Sequence, residues 1–451
     1  MSTFISNHFE PSSAAAWKQK IQFDLKGADY NEKLLTKTNE GIIIKPFYHS
    51  DDFEKINVPF SKNGLKTCHK ILISSESETN LKALNAINNG ANALKFEAKT
   101  PFIIEALFKN LLNKKIEFHF QLRFLSEEFT NKLSDFLKNE TVFFNIDIIG
   151  NLAKTGNWYT SLNTDFKSIE NLLQKKQSAT ILSVNADLYQ NSGANTVQQI
   201  AYSLTHANEY LTKFGSGIAN NIQFNFAIGN NYFFEIAKIR AFRYLYNLIL
   251  AEYDTTADIN IYTEPSLRNK SIYSFKINKL RTTTANMSAI LGGSNTISND
   301  SFDQLFYSEN EFEEDLDLNE LLASNEEGHN TNPQNIATDC YYIESLTKQM
   351  AEKALSIFKE IEKSGGFLNQ LKEGTIQRKI TENAKKEQAK FDSESLILVG
   401  VNKYQNEIDS TKKDLNLNAF TKRKSHKTLI VPIIPKRLAE KLEQKKMKNE
   451  A

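Results

Sequence analysis

Residues 222–253 read IQFNFAIGNNYFFEIAKIRAFRYLYNLILAEY. The first seven residues form a short apolar run rich in phenylalanine and isoleucine, and a glycine follows them directly. Residues 233–253 are then apolar on nearly every face of a helix, so we expect that helix to be buried on all sides. A buried strand joined to a buried helix is typical of a βα unit in a parallel sheet.

The same alternation extends over residues 66–300. The further predicted strands cover residues 70–74, 93–98, 116–122, 142–149, 180–184 and 259–262. The further predicted helices cover residues 80–89, 102–112, 127–138 and 196–214, with one more through Met287 and Leu291. The strand count is near eight, and no glycine-rich dinucleotide loop follows the first strand. We therefore predict an α/β protein with a closed (β/α)8 TIM-type barrel, and an open doubly wound sheet is the alternative.

The segments on either side of the barrel have a different composition. Residues 1–65 are predicted to form an arm, in which Ser12 and Ser13 cap a short helix and Gly27 ends it. This arm has too few apolar residues for its own core. We therefore expect it to pack on another part of the protein or on another chain. Residues 301–340 are predicted to be an acidic surface connection, and residues 341–451 a helical linker module with a charged tail.

The composition excludes several classes of protein. The net charge of +1 gives no overall attraction to nucleic acid or to an anionic membrane, and the basic run at 422–427 is interpreted as a solvated or partner-facing patch. Two distant cysteines exclude a disulfide-rich secreted domain. With no signal peptide and no long apolar run, we expect a cytoplasmic protein. The histidines His119, His206 and His426 share no metal-binding spacing, so we predict no metal site.

Four segments carry a resemblance to one family. They are residues 26–52 (KGADYNEKLLTKTNEGIIIKPFYHSDD), 224–243 (FNFAIGNNYFFEIAKIRAFR), 278–293 (NKLRTTTANMSAILGG) and parts of 341–404 (YYIESLT, VGVNKY). Together they closely resemble the methylmalonyl-CoA mutase family, in particular its small (β) subunit. The resemblance implies a radical interconversion of methylmalonyl-CoA and succinyl-CoA. In that family the acyl-CoA lies along the barrel axis, and adenosylcobalamin sits on the C-terminal face of the strands.

The sequence departs from the family's catalytic pattern in several places. Asp187 and Leu188 stand where the catalytic subunit has a Tyr-His pair, and leucine cannot hydrogen-bond a thioester carbonyl. The chain contains no Asp-x-His-x-x-Gly motif, whose histidine ligates cobalt, and no RPWTIRQYAG segment between residues 48 and 66. The family's DPWGGSYYVE stretch is shortened to residues 339–344. These departures imply no catalytic residues and no cobalamin-binding domain in this chain.

The resemblance therefore implies a heterodimer. In this hypothesis the chain stabilises a homologous large subunit, which holds the active site, the acyl-CoA and the adenosylcobalamin. The alternative is an acyl-CoA-binding barrel of a split mutase that borrows a separate cobalamin domain. The apolar arm residues Trp17, Ile21 and Leu25 are interface candidates, because arms wrap the other subunit in this family.

Three residues are candidates for the barrel mouth, namely Glu235, Arg281 and Thr282. We expect Arg281 either to line the mouth or to pair with a carboxylate such as Glu235. Glu235, Lys238 and Arg240 lie on an otherwise apolar helix, which favours a buried set of ion pairs over catalysis.

Overall fold

A computed structural model describes residues 12–59, 64–175, 179–273, 276–299, 311–327, 337–406, 420 and 427–449. The basic run at 422–427 lies outside these residues, apart from Lys427. Within the described ranges, no helix is both long enough and apolar enough to cross a lipid bilayer.

The arm that precedes the barrel has two helices, α1 (Ala14–Asp24) and α2 (Tyr30–Leu34). Its strands β1 (Thr36–Lys37) and β2 (Ile43–Ile44) pair antiparallel. Ser13 caps α1 as predicted, since its hydroxyl accepts a hydrogen bond from the Ala16 N–H. None of the 11 residues of α1 is buried.

Eight parallel strands form a closed barrel. They are β3 (Lys66–Leu72), β4 (Ala93–Ala98), β5 (Glu117–Leu122), β6 (Thr141–Ile146), β7 (Thr180–Asn185), β8 (Ile222–Ile228), β9 (Asn260–Pro265) and β10 (Thr296–Ser298). β10 pairs with both β9 and β3, and this pairing closes the sheet. The predicted (β/α)8 TIM-type barrel is thus confirmed, and the alternative of an open sheet is wrong.

Helices surround the barrel. They are α3 (Glu76–Asn88), α4 (Ile104–Leu107), α5 (Glu127–Phe136), α6 (Ile148–Thr155), α7 (Leu162–Gln174), α8 (Asp187–Asn191), α9 (Thr196–Phe214), α10 (Tyr232–Glu252) and α11 (Lys276–Gly292). The predicted helix at 102–112 is reduced to α4, because Asn110 adopts a left-handed backbone with φ of 62°. The sequence pattern also missed α6 and α7.

The region after β10 differs from the predicted surface connection. It contains α12 (Glu311–Leu322), which packs on β3 and buries Leu318 and Leu321. Because leucines recur among the acidic residues, one face of this helix is apolar enough to cover the barrel. The helical linker follows as α13 (Tyr341–Lys363), α14 (Phe367–Lys372), α15 (Thr375–Asp392) and α16 (Glu440–Asn449). Residues 396–401 form no strand, and the region has one isolated bridge, between Val399 and Lys403.

Helix α10 is packed against other elements on several sides. It contacts α9, α11 and α13, and its Phe242 ring packs on Phe224 and Phe226 of β8 with centroid distances of 4.6 and 4.9 Å. This enclosure explains why its sequence is apolar on nearly every face.

The charged residues of α10 have internal partners. Lys238 is fully buried, and its Nζ donates to the Ala227 carbonyl at 2.7 Å and to Gln199 Oε1 at 3.0 Å, beside an ion pair with Glu235. Arg240, also fully buried, pairs with Glu344 of α13 at 2.5 Å. A buried charge is tolerated only when it is paired or hydrogen-bonded, so these contacts fix α10 against its neighbours.

Arg243, near the middle of α10, also has internal partners. Its Nη1 donates to the Ile259 carbonyl at 2.8 Å, and its Nη2 donates to the Gly293 carbonyl at 2.7 Å. Both carbonyls belong to segments that lead into strands, the first into β9 and the second into β10. The Arg243 guanidinium therefore holds the segments that precede β9 and β10, the last two strands of the barrel.

We predict that Arg243→Met lowers the free energy of unfolding by about 3 kcal/mol, because it leaves two buried carbonyls without donors. Urea denaturation followed by circular dichroism measures this change. Arg378→Met is the matched control. Arg378 is exposed on α15, and its ion pair within the described residues is with Glu382 one turn away, so its loss costs under about 0.5 kcal/mol. Equal losses for the two variants would contradict the role given to Arg243.

Candidate functional site at the mouth of the barrel

Charged side chains converge where the carboxyl ends of the barrel strands lie. (β/α)8 proteins that are enzymes hold their active sites at this end. The charged residues come from β3, β4, the loop after β5, α6, the start of α8, and β9. We refer to them as the mouth ring: Lys70, Lys95, Glu97, Arg123, Lys154, Asp187 and Glu264.

The inner part of the mouth ring is built on Glu264. Its Oε2 lies 3.6 Å from Lys95 Nζ and 3.9 Å from Lys70 Nζ. Lys95 Nζ also lies 4.2 Å from the centroid of the Tyr262 ring, as in a cation–π contact. Burial acts to raise the pKa of Glu264, but the two lysines outweigh burial and hold that pKa below its ordinary value.

The outer part of the mouth ring is built on Arg123. Its Nε donates to Glu97 Oε1 at 2.8 Å, and its side chain is 43% exposed at the rim. Burial acts to raise the pKa of Glu97, and Arg123 reverses that effect, so this pKa is lowered. Lys154 of α6 reaches the same rim. The pKa of Lys154 is lowered, first by the surrounding protein and then by the charge of Arg123.

Asp187 and Leu188, which replace the family's Tyr-His pair, lie at the start of α8. Asp187 keeps some contact with solvent, although protein surrounds most of it. Burial, together with the charge of Glu264, raises the pKa of Asp187 to about 6, against the opposing effect of Lys154. Leu188 is buried in the hydrophobic core. No hydrogen-bonding side chain therefore occupies position 188.

Below the mouth ring, side chains from opposite strands meet on the barrel axis. His119 of β5 stacks on Phe143 at 4.5 Å, and its ring lies 5.4 Å from that of Tyr262 on β9. β5 and β9 are on opposite sides of the barrel. His119 Nδ1 also lies 3.4 Å from Gln223 Nε2 on β8. All four of these side chains are buried, so they fill the axis at this level.

A layer of amides fills the axis next to these rings. Asn225 Nδ2 donates to Asn185 Oδ1 at 2.7 Å and to Asn145 Oδ1 at 3.3 Å. Gln223 Nε2 donates to Asn225 Oδ1 at 3.0 Å. These contacts join β6, β7 and β8 across the interior of the barrel.

A buried hydrogen-bond network lies behind β6 and β7. Asp147 Oδ1 lies 3.0 Å from His206 Nε2 and accepts a hydrogen bond from Tyr210 at 2.8 Å. The Tyr189 hydroxyl lies 2.8 Å from His206 Nδ1. Burial acts to raise the pKa of Asp147, but His206 outweighs it, so this pKa is lowered. All four side chains are buried, so the network holds α8 and α9 against the barrel.

Within the described residues, the three residues predicted for the mouth form no hydrogen bond or ion pair with the mouth ring. Glu235 is buried behind the end of β8, where it pairs with Lys238. Arg281 does not pair with Glu235: its Nη1 donates to Asn278 Oδ1 at 2.7 Å and its Nη2 to the Val399 carbonyl at 2.7 Å. Thr282 is buried and accepts a hydrogen bond from Lys270. Through these contacts the α11 residues Arg281 and Thr282 tie their helix to the segments that contain Val399 and Lys270.

Apart from Asp187, the residues of the mouth ring were not among the predicted site residues. A signal was present in the strands, because buried parallel strands are usually apolar throughout. Lys95 and Glu97 alternate with apolar residues in ALKFEA, and Glu117 and His119 do so in EFHFQL. In a closed barrel, such alternating polar positions face the interior.

The fold and this mouth define a closed parallel (β/α)8 barrel protein with charged residues at the face where such proteins bind ligands. The family model for methylmalonyl-CoA mutase matches residues 137–447, which is more than half of the chain. The chain belongs to the methylmalonyl-CoA mutase family.

Three similar proteins place the chain within that family. It is 28% identical over 447 residues to the methylmalonyl-CoA mutase small subunit of Porphyromonas gingivalis, which covers 89% of this chain and 71% of that protein. It is 32% identical over 237 residues to the methylmalonyl-CoA mutase of Cereibacter sphaeroides, covering 50% of this chain and 33% of that protein. A probable methylmalonyl-CoA mutase large subunit of Mycobacterium bovis is 27% identical over 234 residues, covering 50% of this chain and 31% of that protein. The chain thus spans about a third of the length of the last two.

We predict that Asp187→Asn stabilises the chain at neutral pH. The folded protein raises the pKa of Asp187 to about 6. Between the pKa of the unfolded chain and this value, the folded protein therefore keeps the Asp187 carboxyl protonated, whereas the unfolded chain releases that proton. The free energy of unfolding of the parent protein therefore falls as pH rises from about 4 to about 6. An asparagine at this position does not ionise, so the variant avoids this loss. The free energy of unfolding of the variant should exceed that of the parent by about 1 kcal/mol at pH 7.5. This is less than the whole rise in the Asp187 pKa would give, because Asp187 retains some solvent contact.

Urea denaturation at pH 4.5 and pH 7.5 tests this prediction. The difference between Asp187→Asn and the parent should be small at the lower pH and larger at the higher pH. An equal difference at both would show that Asp187 titrates at its ordinary pKa.

Proposed function

We propose that this chain is the small subunit of a heterodimeric, adenosylcobalamin-dependent methylmalonyl-CoA mutase, which interconverts methylmalonyl-CoA and succinyl-CoA. The chain itself does not catalyse the reaction. It stabilises a homologous large subunit, which holds the acyl-CoA, the cofactor and the catalytic residues. The complex works in the cytoplasm.

The filled barrel axis is the observation that carries this proposal. The contact of His119 with Tyr262 across the barrel occupies the path that the family's catalytic subunit leaves to its acyl-CoA. The buried Leu188 adds to this, because the catalytic histidine that would bind the thioester carbonyl is absent. Both substrate binding and carbonyl polarisation are thus lost in the same barrel.

The residues of this chain do not fit adenosylcobalamin. Its sequence has no Asp-x-His-x-x-Gly motif to ligate cobalt. Among the described histidines, His119 and His206 are fully buried, the first in the barrel interior and the second in the network with Asp147. The cofactor's radical chemistry is therefore assigned to the partner subunit.

The arm supports the proposed association with a large subunit. Trp17 is 51% exposed, and Ile21 and Leu25 follow it on the same side of α1, at intervals of four residues. Ile21 and Leu25 line a surface groove together with Leu34 and Pro46. A helix that leaves a tryptophan half-exposed beside an apolar groove is the kind of surface that a partner covers.

Co-expression with a homologous large subunit tests the proposal. We expect a complex with one copy of each chain, in which the melting temperature of the large subunit rises because only its folded form binds the partner. If the large subunit has the same melting temperature and turnover with and without this chain, the proposed role is wrong.

We predict that Trp17→Asp weakens binding to the large subunit roughly 30-fold, the effect of losing a hot-spot tryptophan worth about 2 kcal/mol. Isothermal titration calorimetry measures the dissociation constant. Gln19→Asp is the matched control, because it adds the same charge to an exposed position on another side of α1. The melting temperature of the isolated chain should be unchanged in both variants, since α1 is not buried. Equal affinities for the two variants would exclude α1 from the interface.

A further inference from the structure

A small cavity lies where the arm meets the first turns of α13. Side chains from residues 45–54 of the arm form one side of it, and the other side is formed by Tyr341, Glu344, Ser345 and Lys348. Its volume is about 60 Å³, several times the space that one water molecule needs. No residue of the mouth ring lines it, so this cavity is separate from the barrel mouth.

A buried carboxylate lines the cavity. The Glu344 side chain is only 1% exposed, and its two oxygens have different surroundings. Oε1 pairs with Arg240 at 2.5 Å and accepts a hydrogen bond from the Asp339 N–H at 3.4 Å. Oε2 is buried and has no hydrogen-bond partner among the described residues. Because a buried carboxylate oxygen without a donor costs free energy, a ligand that donates to Oε2 is stabilised in this cavity.

The other carboxylates and the lysines of the cavity lie at its rim and pair with one another. Lys45 Nζ lies 3.4 Å from Asp52 Oδ2, and Lys348 pairs with Glu54. These four side chains are between 42% and 71% exposed, so Glu344 is the least exposed of the group. The lining thus contains three carboxylates and two lysines. This balance, with a carboxylate as the most buried group, favours a cation over an anion.

Aromatic rings form the walls of the cavity. Phe53 of the arm lies 5.0 Å from Tyr341 of α13, measured between ring centroids, and Tyr48 of the arm lies 5.0 Å from Tyr342. Phe53, Tyr341 and Tyr48 line the cavity. The face of an aromatic ring attracts an ammonium group, and its apolar surface covers an alkyl chain. Rings beside a buried carboxylate therefore suit a protonated amine.

We propose that this cavity binds a small primary ammonium ion, which donates a hydrogen bond to Glu344 Oε2 and places its alkyl part between the aromatic rings. A primary ammonium has three N–H donors on one nitrogen, so the ligand can also donate to an acceptor at the rim. The volume of the cavity limits the ligand to a short alkyl chain, such as that of ethylammonium. The site goes beyond the proposed role as a small subunit and does not depend on it.

Isothermal titration calorimetry on the full chain tests the site. The probe is ethylammonium, and ethanol and acetate serve as neutral and anionic molecules of similar size. We expect ethylammonium to bind at millimolar concentration and the other two to bind more weakly. Glu344→Gln should weaken ethylammonium binding about tenfold, because the amide of glutamine places an N–H donor where the carboxylate oxygen accepts.

A second variant tests the charges of the rim in the opposite direction. Lys45→Gln removes a cation that competes for Asp52, so it should tighten ethylammonium binding about threefold. Lys167→Gln is the matched control, because Lys167 is an exposed lysine that pairs with Glu170 at 2.8 Å and does not line the cavity. The affinity of this control should equal that of the parent.

Four results would overturn the proposal. These are no binding of ethylammonium at tens of millimolar, equal affinities for ethylammonium and either other probe, an unchanged affinity in Glu344→Gln, and equal affinities in Lys45→Gln and Lys167→Gln. Because Glu344 also pairs with Arg240, circular dichroism checks that Glu344→Gln folds. If it does not fold, Asp52→Asn takes its place, with an expected loss of about threefold. Association with the large subunit is measured separately, so failure of this site leaves the proposed function standing, and the reverse also holds.

Discussion

The contact between His119 and Tyr262 across the barrel axis is the interaction on which the rest of the molecule's properties depend. A (β/α)8 barrel must fill its interior with side chains or leave a passage, and this one fills it with rings and amides from opposite strands. The amides of Asn185, Gln223 and Asn225 bond one another, whereas among the described residues His119 Nε2 and Gln223 Oε1 have no hydrogen-bond partner. These rings and amides fill the axis of the described barrel, and the proposed non-catalytic role rests on this feature.

The charged residues of α10 show how a family motif serves structure. In the segment EIAKIRAFR, Lys238 reaches the end of β8, Arg240 reaches Glu344 of the linker, and Arg243 reaches the segments before β9 and β10. Each side chain is buried, and removing any partner would leave an uncompensated charge. This segment therefore joins the barrel to the helical linker, and its resemblance to mutases reflects shared architecture as much as shared chemistry.

The sequence predicted the barrel because its strands and helices have distinct apolar patterns. The strands at 93–98 and 222–228 agree residue for residue, as does the helix at 196–214. β10 was missed because three residues are too few to produce a pattern, and α12 was missed because its acidic composition hides two buried leucines. The barrel-mouth candidates were chosen from local motifs. The mouth ring instead joins residues far apart in sequence, such as Lys95 and Glu264, and only the closed sheet brings them together.

In the proposed complex the large subunit catalyses the reaction, and this chain alone does not. The most direct measurement is mutase turnover by this chain alone, supplied with methylmalonyl-CoA and adenosylcobalamin, with and without a separate cobalamin-binding domain. We expect no succinyl-CoA above the background of a reaction without protein in either case, and turnover only when the large subunit is added. Formation of succinyl-CoA by this chain without a large subunit would contradict the assignment of a non-catalytic barrel.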